Sequence, residues 1–223
     1  MEKPAHETES RQVPDLIVTN FNKNFTGVSA TAAGVVRQQT QRYDMALCGQ
    51  PLPDCPAPIT RRQAIEASRK PPKNHAFTIW HVRRNTEIRA AIWARDVLRL
   101  PIRIVFTSAA IRRHSAFPRW LISRMDAVIA TTETAASFVP HVRAVVPHGV
   151  DCDRFTPAIN RAAAWAKTGY PGTQGIATIG RIRPEKGSDR FVDAMLAYLP
   201  GNPNATALLM PGKQIRSDVP EHT

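Results

Sequence analysis

The sequence predicts an α/β protein: one complete Rossmann-like domain built on a parallel sheet, followed by the beginning of a second. Three observations carry this prediction. Short β-branched and aliphatic runs alternate with amphipathic segments from residue 15 to residue 146, the pattern of strands buried on both faces by crossover helices. After residue 151 the alternation pauses, then restarts with an apolar run at 176–179 that opens into a basic, glycine-bounded loop at 180–187. From that run about fifty residues remain, too few for a second domain of usual size. The expected divisions are a disordered leader over residues 1–13, a Rossmann-like domain over 14–155 and a partial second domain over 156–223.

Taken in order, residues 15–20 (DLIVTN) read as a buried parallel strand. A loop containing Gly27 follows, then a helix over about 30–43, and a second strand at 45–48. Four prolines, Pro51, Pro53, Pro56 and Pro58, make 50–58 irregular. A short helix over 61–70 precedes a strand at 76–80 and a helix over 86–99 with Ile88, Ala91, Ile92 and Leu98 on one side. A strand at 102–106, a helix at 117–125, a strand at 127–130, a helical turn at 133–138 and a strand at 144–146 complete the series. Beyond it lie a helix over 157–167, the strand before Gly180, a helix over 188–199 and a strand candidate at 205–210.

At 43% hydrophobic and 22% charged residues, the composition is that of a folded globular chain. The first ten residues are polar and no apolar run approaches 20 residues, so a cytoplasmic protein is expected. Cys48, Cys55 and Cys152 match no zinc spacing and are odd in number, which favours free thiols. The net charge of +12 is concentrated: residues 61–126 hold fifteen Lys or Arg against four acids, a local excess of eleven. Such a block suits a membrane surface, nucleic acid or a phosphorylated substrate, or reflects a generally basic proteome with Arg (23) replacing Lys (7). No helix-turn-helix pattern or basic helix with stacking aromatics is visible, so nucleic acid is not expected as a partner.

The loop Gly180-Arg181-Ile182-Arg183-Pro184-Glu185-Lys186-Gly187 joins a strand to a helix, an arrangement that turns backbone N–H groups toward an anion. Arg181 offers a bidentate fork and Lys186 a compact second charge; a solvated basic turn is the alternative. The loop after the first strand lies where open α/β sheets bind ligands, and Gly27 there is either a point of close approach or a simple turn. His81, Arg83 and Arg84 follow a strand at the same edge, His81 as proton carrier or structural cap, the arginines as anion holders. Arg112, Arg113 and His114 repeat the theme after the next strand. No G-x-G-x-x-G, P-loop, G-x-S-x-G or H-E-x-x-H pattern occurs, which excludes the corresponding dinucleotide, nucleotide-hydrolase, serine-esterase and zinc-protease sites.

Residues 147–151 (PHGVD), with Arg154, Phe155 and Pro157 after them, resemble the interdomain crossover of family 4 glycosyltransferases of the GT-B fold. Gly180-Arg181 to Lys186-Gly187 is similar to that family's donor-diphosphate loop, G-R-x-x-x-x-K-G. Residues 80–87, 106–114, 120–132 and 181–195 resemble one branch more closely, the alphaproteobacterial lipopolysaccharide core mannosyltransferases. The resemblance implies retaining transfer of mannose from GDP-mannose to a lipid-anchored, Kdo-containing acceptor, with no metal or other cofactor. It casts 14–155 as the acceptor-side domain and 156–223 as part of the donor domain. It places Arg181 and Lys186 on the donor diphosphate, Gly27 near the donor or the acceptor, His81 as the catalytic candidate, and Arg83, Arg84, Arg113 and His114 on the acceptor side. Preorganised cations suit such a reaction, because they stabilise a departing diphosphate without metal. The basic block suits a lipid acceptor at the inner face of an anionic membrane, where four cations add on the order of 4 kcal/mol of attraction.

One departure is large. The family carries an E-x7-E pair late in its second domain, whereas Glu221 is the only glutamate after Lys186. The chain is therefore expected to be C-terminally truncated and poorly active by itself; a non-catalytic fragment that binds an anionic membrane or lipid acceptor through its basic face is the alternative expectation.

Overall fold

Leu16–Asn20, five consecutive buried residues, form strand β1, which is paired on both sides in the sheet of the first unit. A computed structural model describes residues 13–152 and 155–211. Residues 1–12 of the expected leader, and residues 212–223, lie outside the described residues. The chain divides into two units, Met1–Val150 and Asp151–Thr223.

In the first unit, β2 (Met45–Gly49), β3 (Thr78–Val82), β4 (Ile102–Ser108), β5 (Ala127–Ala130) and β6 (Val142–Val145) join β1 in a six-stranded sheet of order β2-β1-β3-β4-β5-β6. Every pairing is parallel, with Leu16 beside both Met45 and Ile79, and Thr78 beside Ile102. The connections carry α1 (Gly27–Gln39), α2 (Arg61–Ala67), α3 (Asn85–Ile92), α4 (Ala116–Ser123) and α5 (Glu133–Ala136). Helix α3 runs on through a π turn, Trp93–Val97.

Period-two alternation sends Ile17, Trp80, Val82, Ile104, Phe106 and Val128 to one face of the sheet, in one cluster with Ile88 and Ala91 of α3 and Leu121 and Ile122 of α4. The Trp80 indole N–H is satisfied by Ser68 Oγ at 3.0 Å. On the other face Leu16, Val18 and Leu47 pack with Ala32, Ala33 and Val36 of α1. Further along that face Ile79, Val105 and Ile129 are only half-buried, and with Phe77, Tyr43 and His81 they line a groove of about 330 Å³.

The strand expected at 76–80 is corrected to 78–82. Parallel pairing sets its start, since the Thr78 N–H bonds to Pro101 O and the Ile79 N–H to Asp15 O. Its extension leaves His81 inside the strand rather than beyond it. Strand β4 likewise absorbs Thr107 and Ser108, which the sequence assigns to a loop. Helix α1 starts at Gly27, so Gly27 is a first-turn residue and not part of the preceding loop.

In the second unit α6 (Arg161–Ala166) leads to β7 (Gln174–Gly180), α7 (Ser188–Tyr198) and β8 (Ala205–Pro211), with β7 and β8 parallel from Gln174↔Ala205 to Gly180↔Pro211. Helix α6 begins later than expected because the Asn160 Oδ1 caps it, accepting from the Ala163 N–H at 3.0 Å. The Trp165 ring packs on Gly175, where a Cβ would meet it at 2.3 Å, and its indole N–H bonds to Gly172 O at 2.8 Å. Ile179 of β7 and Leu196 of α7 remain 75% and 68% exposed.

Candidate functional site

The strand order of the first unit turns outward in opposite directions from β1, to β2 on one side and to β3 on the other. At such a switch point the loops leaving the two strands diverge, and a crevice opens beyond their carboxyl ends. The walls here are residues 21–26, after β1, and Arg83 and Arg84, after β3.

A single buried carboxylate ties those walls together. The Glu87 side chain is fully buried. Its Oε2 accepts from Thr19 Oγ1 at 3.1 Å, the Arg83 N–H at 2.8 Å and the Arg84 N–H at 3.2 Å, and its Oε1 from the Phe21 N–H at 3.1 Å. The Arg84 guanidinium completes the set at 3.1 Å. Glu87 stands in the first turn of α3, so it neutralises the helix's N-terminal partial charge while reaching back to the loop. The same guanidinium donates to Asn20 Oδ1, Thr26 Oγ1 and Ser29 Oγ at 2.9–3.2 Å. Arg84 therefore holds the first loop to the start of α3. Phe21 on that loop lies beneath the Arg61 guanidinium, 3.8 Å from the ring centroid.

Arg83 differs from its neighbour. Its Nε and Nη1 are buried and have no hydrogen-bond partner among the described residues. Burial pulls the guanidinium down to about 10, with Glu87 opposing and Arg84 adding to the shift; it stays cationic at physiological pH. His81, by contrast, is held neutral: burial, then the Arg83 charge, depresses its ring well below the usual histidine range. Its Nε2 shares a 2.7 Å hydrogen bond with Thr107 Oγ1, and the ring lines the groove on the sheet face. Inside the strand, it links β3 to β4 and is a poor proton acceptor.

After β4, residues 109–115 and Pro118 line an open groove of about 720 Å³ that includes Arg113 and His114. Ser108 Oγ and His114 Nε2 are buried without a partner among the described residues. Ile111 of this groove is 90% exposed, and after it Phe117 stacks on Trp120, both more than half exposed. Much of the basic block is internally paired: Asp126 takes Arg95 and Arg103 at 2.7 Å, and Asp96 takes Arg95 and Arg124. Arg112, Arg113 and Arg119 have no ion pair among the described residues.

In the second unit the loop after β7 turns at Gly180 (φ 150°) and Gly187 (φ 73°), conformations that favour glycine. Arg183 is engaged locally, its guanidinium with Glu185 at 3.3 Å and its N–H with Ser188 Oγ at 3.3 Å. Arg181 and Lys186 are exposed, and neither side chain has a partner among the described residues. The structure thus gathers Glu87, Arg84 and Arg83 at the switch point and Arg113 and His114 after the next strand. Gly27, exposed at the start of α1, has open space where a Cβ would stand. Sequence reasoning missed Glu87, whose only signal is an acid in a helix first turn within an otherwise basic run. Among the described residues no three His, Cys, Asp or Glu side chains come together as metal ligands.

The fold and its loops define an α/β protein of the GT-B type. Solved structures agree: Anabaena HepE in complex with UDP-glucose superposes with a TM-score of 0.63 over 88% of this chain and 60% of that one, at 10% identity. Staphylococcus aureus MnaA with UDP gives 0.51 over 90% and 63%, at 13% identity. The sequence relatives are more specific. The chain is 38% identical over 196 residues, 87% of its length, to the lipopolysaccharide core biosynthesis mannosyltransferase LpcC of Rhizobium leguminosarum, and 37% identical over 197 residues to LpsB of Rhizobium meliloti. It covers 55% and 56% of those two proteins, so it spans about half the length of the curated relatives it matches. A D-inositol 3-phosphate glycosyltransferase of Segniliparus rotundus is 34% identical over 98 residues, 40% of this chain and 22% of that protein. No family model matches the chain.

Proposed function

We propose that the chain serves transfer of mannose from GDP-mannose to a Kdo-containing lipid acceptor in lipopolysaccharide core synthesis, with retention at the sugar. The observation that carries this is the 38% identity to a lipopolysaccharide core mannosyltransferase across 87% of the chain. In this reading Arg181 and Lys186 neutralise the departing diphosphate, each charge-assisted hydrogen bond contributing roughly 1.5–3 kcal/mol. Gly27 leaves room for a ligand at the start of α1. Arg83, Arg113 and His114 meet the acceptor, Arg84 shapes the first loop, and His81 is a positioning residue.

The 223 residues contain no E-x7-E pair after Lys186, so we expect little turnover from them alone, about a hundredfold or more below a complete enzyme, as loss of preorganised donor contacts costs in other sites. The test is mannosyl transfer from labelled GDP-mannose to a Kdo–lipid A acceptor, measured for this chain and for a chimera completed with the C-terminal half of the R. leguminosarum relative. The chimera is expected to transfer mannose and the chain by itself scarcely to do so; a chimera that ignores the Kdo acceptor would sink the reading. A second role, peripheral binding to anionic membrane, is favoured by Ile111, Phe117 and Trp120 exposed beside Arg112, Arg113 and Arg119. No helix among the described residues is long and apolar enough to cross a membrane.

A further inference from the structure

We propose that the Arg83 guanidinium is an oxyanion subsite, which receives one carboxylate or phosphate group of the acceptor at the switch-point crevice; the proposal rests on the transferase reading above. Two adjacent arginines follow β3 and behave oppositely. Arg84 places its guanidinium against Asn20, Glu87, Thr26 and Ser29. Arg83 buries Nε and Nη1 with nothing to receive their protons among the described residues. The Glu87 charge supports the Arg83 cation, but its oxygens spend their hydrogen bonds on Thr19, Phe21, both arginine amides and the Arg84 side chain. Glu87 takes the Arg83 backbone N–H and leaves the side chain unpaired.

A buried cation with unused donors is costly in a folded protein, and such groups are retained where something else completes them. The complementary group for two N–H donors on a planar fork is an oxyanion that accepts both. One positive charge suits one such group rather than a diphosphate. The neighbouring strand supplies further unpartnered polar atoms at its own carboxyl end and in the loop beyond, Ser108 Oγ and His114 Nε2. The registers place Val82 beside Phe106, so Arg83 and Ser108 lie at the same edge of the sheet.

The experiment uses the 223-residue chain and follows the Arg83 Nε–Hε resonance and the melting temperature during titration with inorganic phosphate, free Kdo and Kdo methyl ester. A saturable shift of that resonance with phosphate or Kdo, absent with the ester, is expected. In Arg83→Gln the anion affinity falls by roughly tenfold or more, as loss of a charge-assisted hydrogen bond requires, while the anion-free protein melts no lower than the parent. Arg83→Lys, which keeps the charge without the fork, retains a weakened response and guards against misfolding of the first variant. Saturation by phosphate alone identifies a phosphate-bearing group, and by Kdo alone a sugar carboxylate; either supports the subsite. An unmoved Arg83 resonance, or an undiminished anion response in Arg83→Gln, overturns it. A chimera that transfers mannose with Arg83→Gln unimpaired overturns the subsite and leaves the transferase reading intact. Anion binding without any transfer does the reverse.

Discussion

Glu87 and Arg84 form an ion pair of 3.1 Å in which the carboxylate is fully buried and the arginine side chain is 18% exposed. The pair is a clamp between two loops, because each partner also bonds to a residue after β1, Glu87 to Phe21 and Arg84 to Thr26. Breaking a buried pair leaves an uncompensated charge, so Arg84→Gln is expected to destabilise the first unit by about 3–5 kcal/mol. Glu87→Gln should cost a similar amount, since it replaces one accepting oxygen by an NH2 donor that faces other donors. Urea unfolding measures both; a loss below 1 kcal/mol in either would show that the loops hold without the clamp.

Stability should fall as pH drops below the ordinary histidine value. His81 is neutral in the fold and its pKa is depressed by burial and by Arg83, whereas in the unfolded chain it titrates near about 6.5. Between those two values the unfolded state binds the extra proton, so stability is full above about 6.5 and is lost toward lower pH at up to about 1.4 kcal/mol per pH unit. His81→Gln should flatten this limb. A second loss follows at lower pH, where Asp96, held at about 2 first by Arg95 and also by Arg124, is protonated in the unfolded chain before the folded one. Asp96→Asn should remove part of that lower limb and leave the upper one unchanged. Urea unfolding across pH separates the two.

The sheet was legible in the sequence because its strands are short apolar runs, and every strand expected between residues 15 and 146 is present. The ends were not, because pairing partners set them. Ile79 starts its ladder beside Leu16 and His81 ends up inside β3, which no local pattern announces. The basic loops were visible as charges, but a guanidinium's role depends on what carboxylate lies near it. Arg84 and Arg83 are adjacent and alike in sequence; the fold gives one four partners and the other none for its buried nitrogens.

The second unit should open far more readily than the first. Two parallel strands and two helices give too little apolar cover for independent stability, and Ile179 and Leu196 remain mostly exposed. Amides of β7 and β8 are expected to exchange at least about a hundredfold faster than those of β1 and β3. The contact most worth probing is Trp165 on Gly175, because a methyl group there would stand 2.3 Å from the ring. Gly175→Ala should displace the indole, shift its fluorescence to longer wavelength and raise exchange in β7, without changing exchange in β1. Equal protection of the two units would refute this division of stability.

The exposed patch around α4 should bind anionic bilayers. Trp120 and Phe117 stack with ring centroids 6.2 Å apart, and Ile111 projects from the preceding loop. Arg112, Arg113 and Arg119 are exposed around them, which combines interfacial aromatics with unpaired cations. Vesicles containing phosphatidylglycerol are expected to sediment the protein at low salt and to shift Trp120 emission to shorter wavelength, a shift missing in Trp120→Phe. Replacing Arg112 and Arg113 by Gln removes two cations, worth about 1 kcal/mol each near an anionic surface, so the partition coefficient should fall roughly thirtyfold. Raising the salt to 1 M shortens the screening length to about 3 Å and should abolish most of the remaining binding. Neutral phosphatidylcholine vesicles separate the two contributions: the aromatic residues alone should give weak binding there, and the arginine substitutions should leave it unchanged.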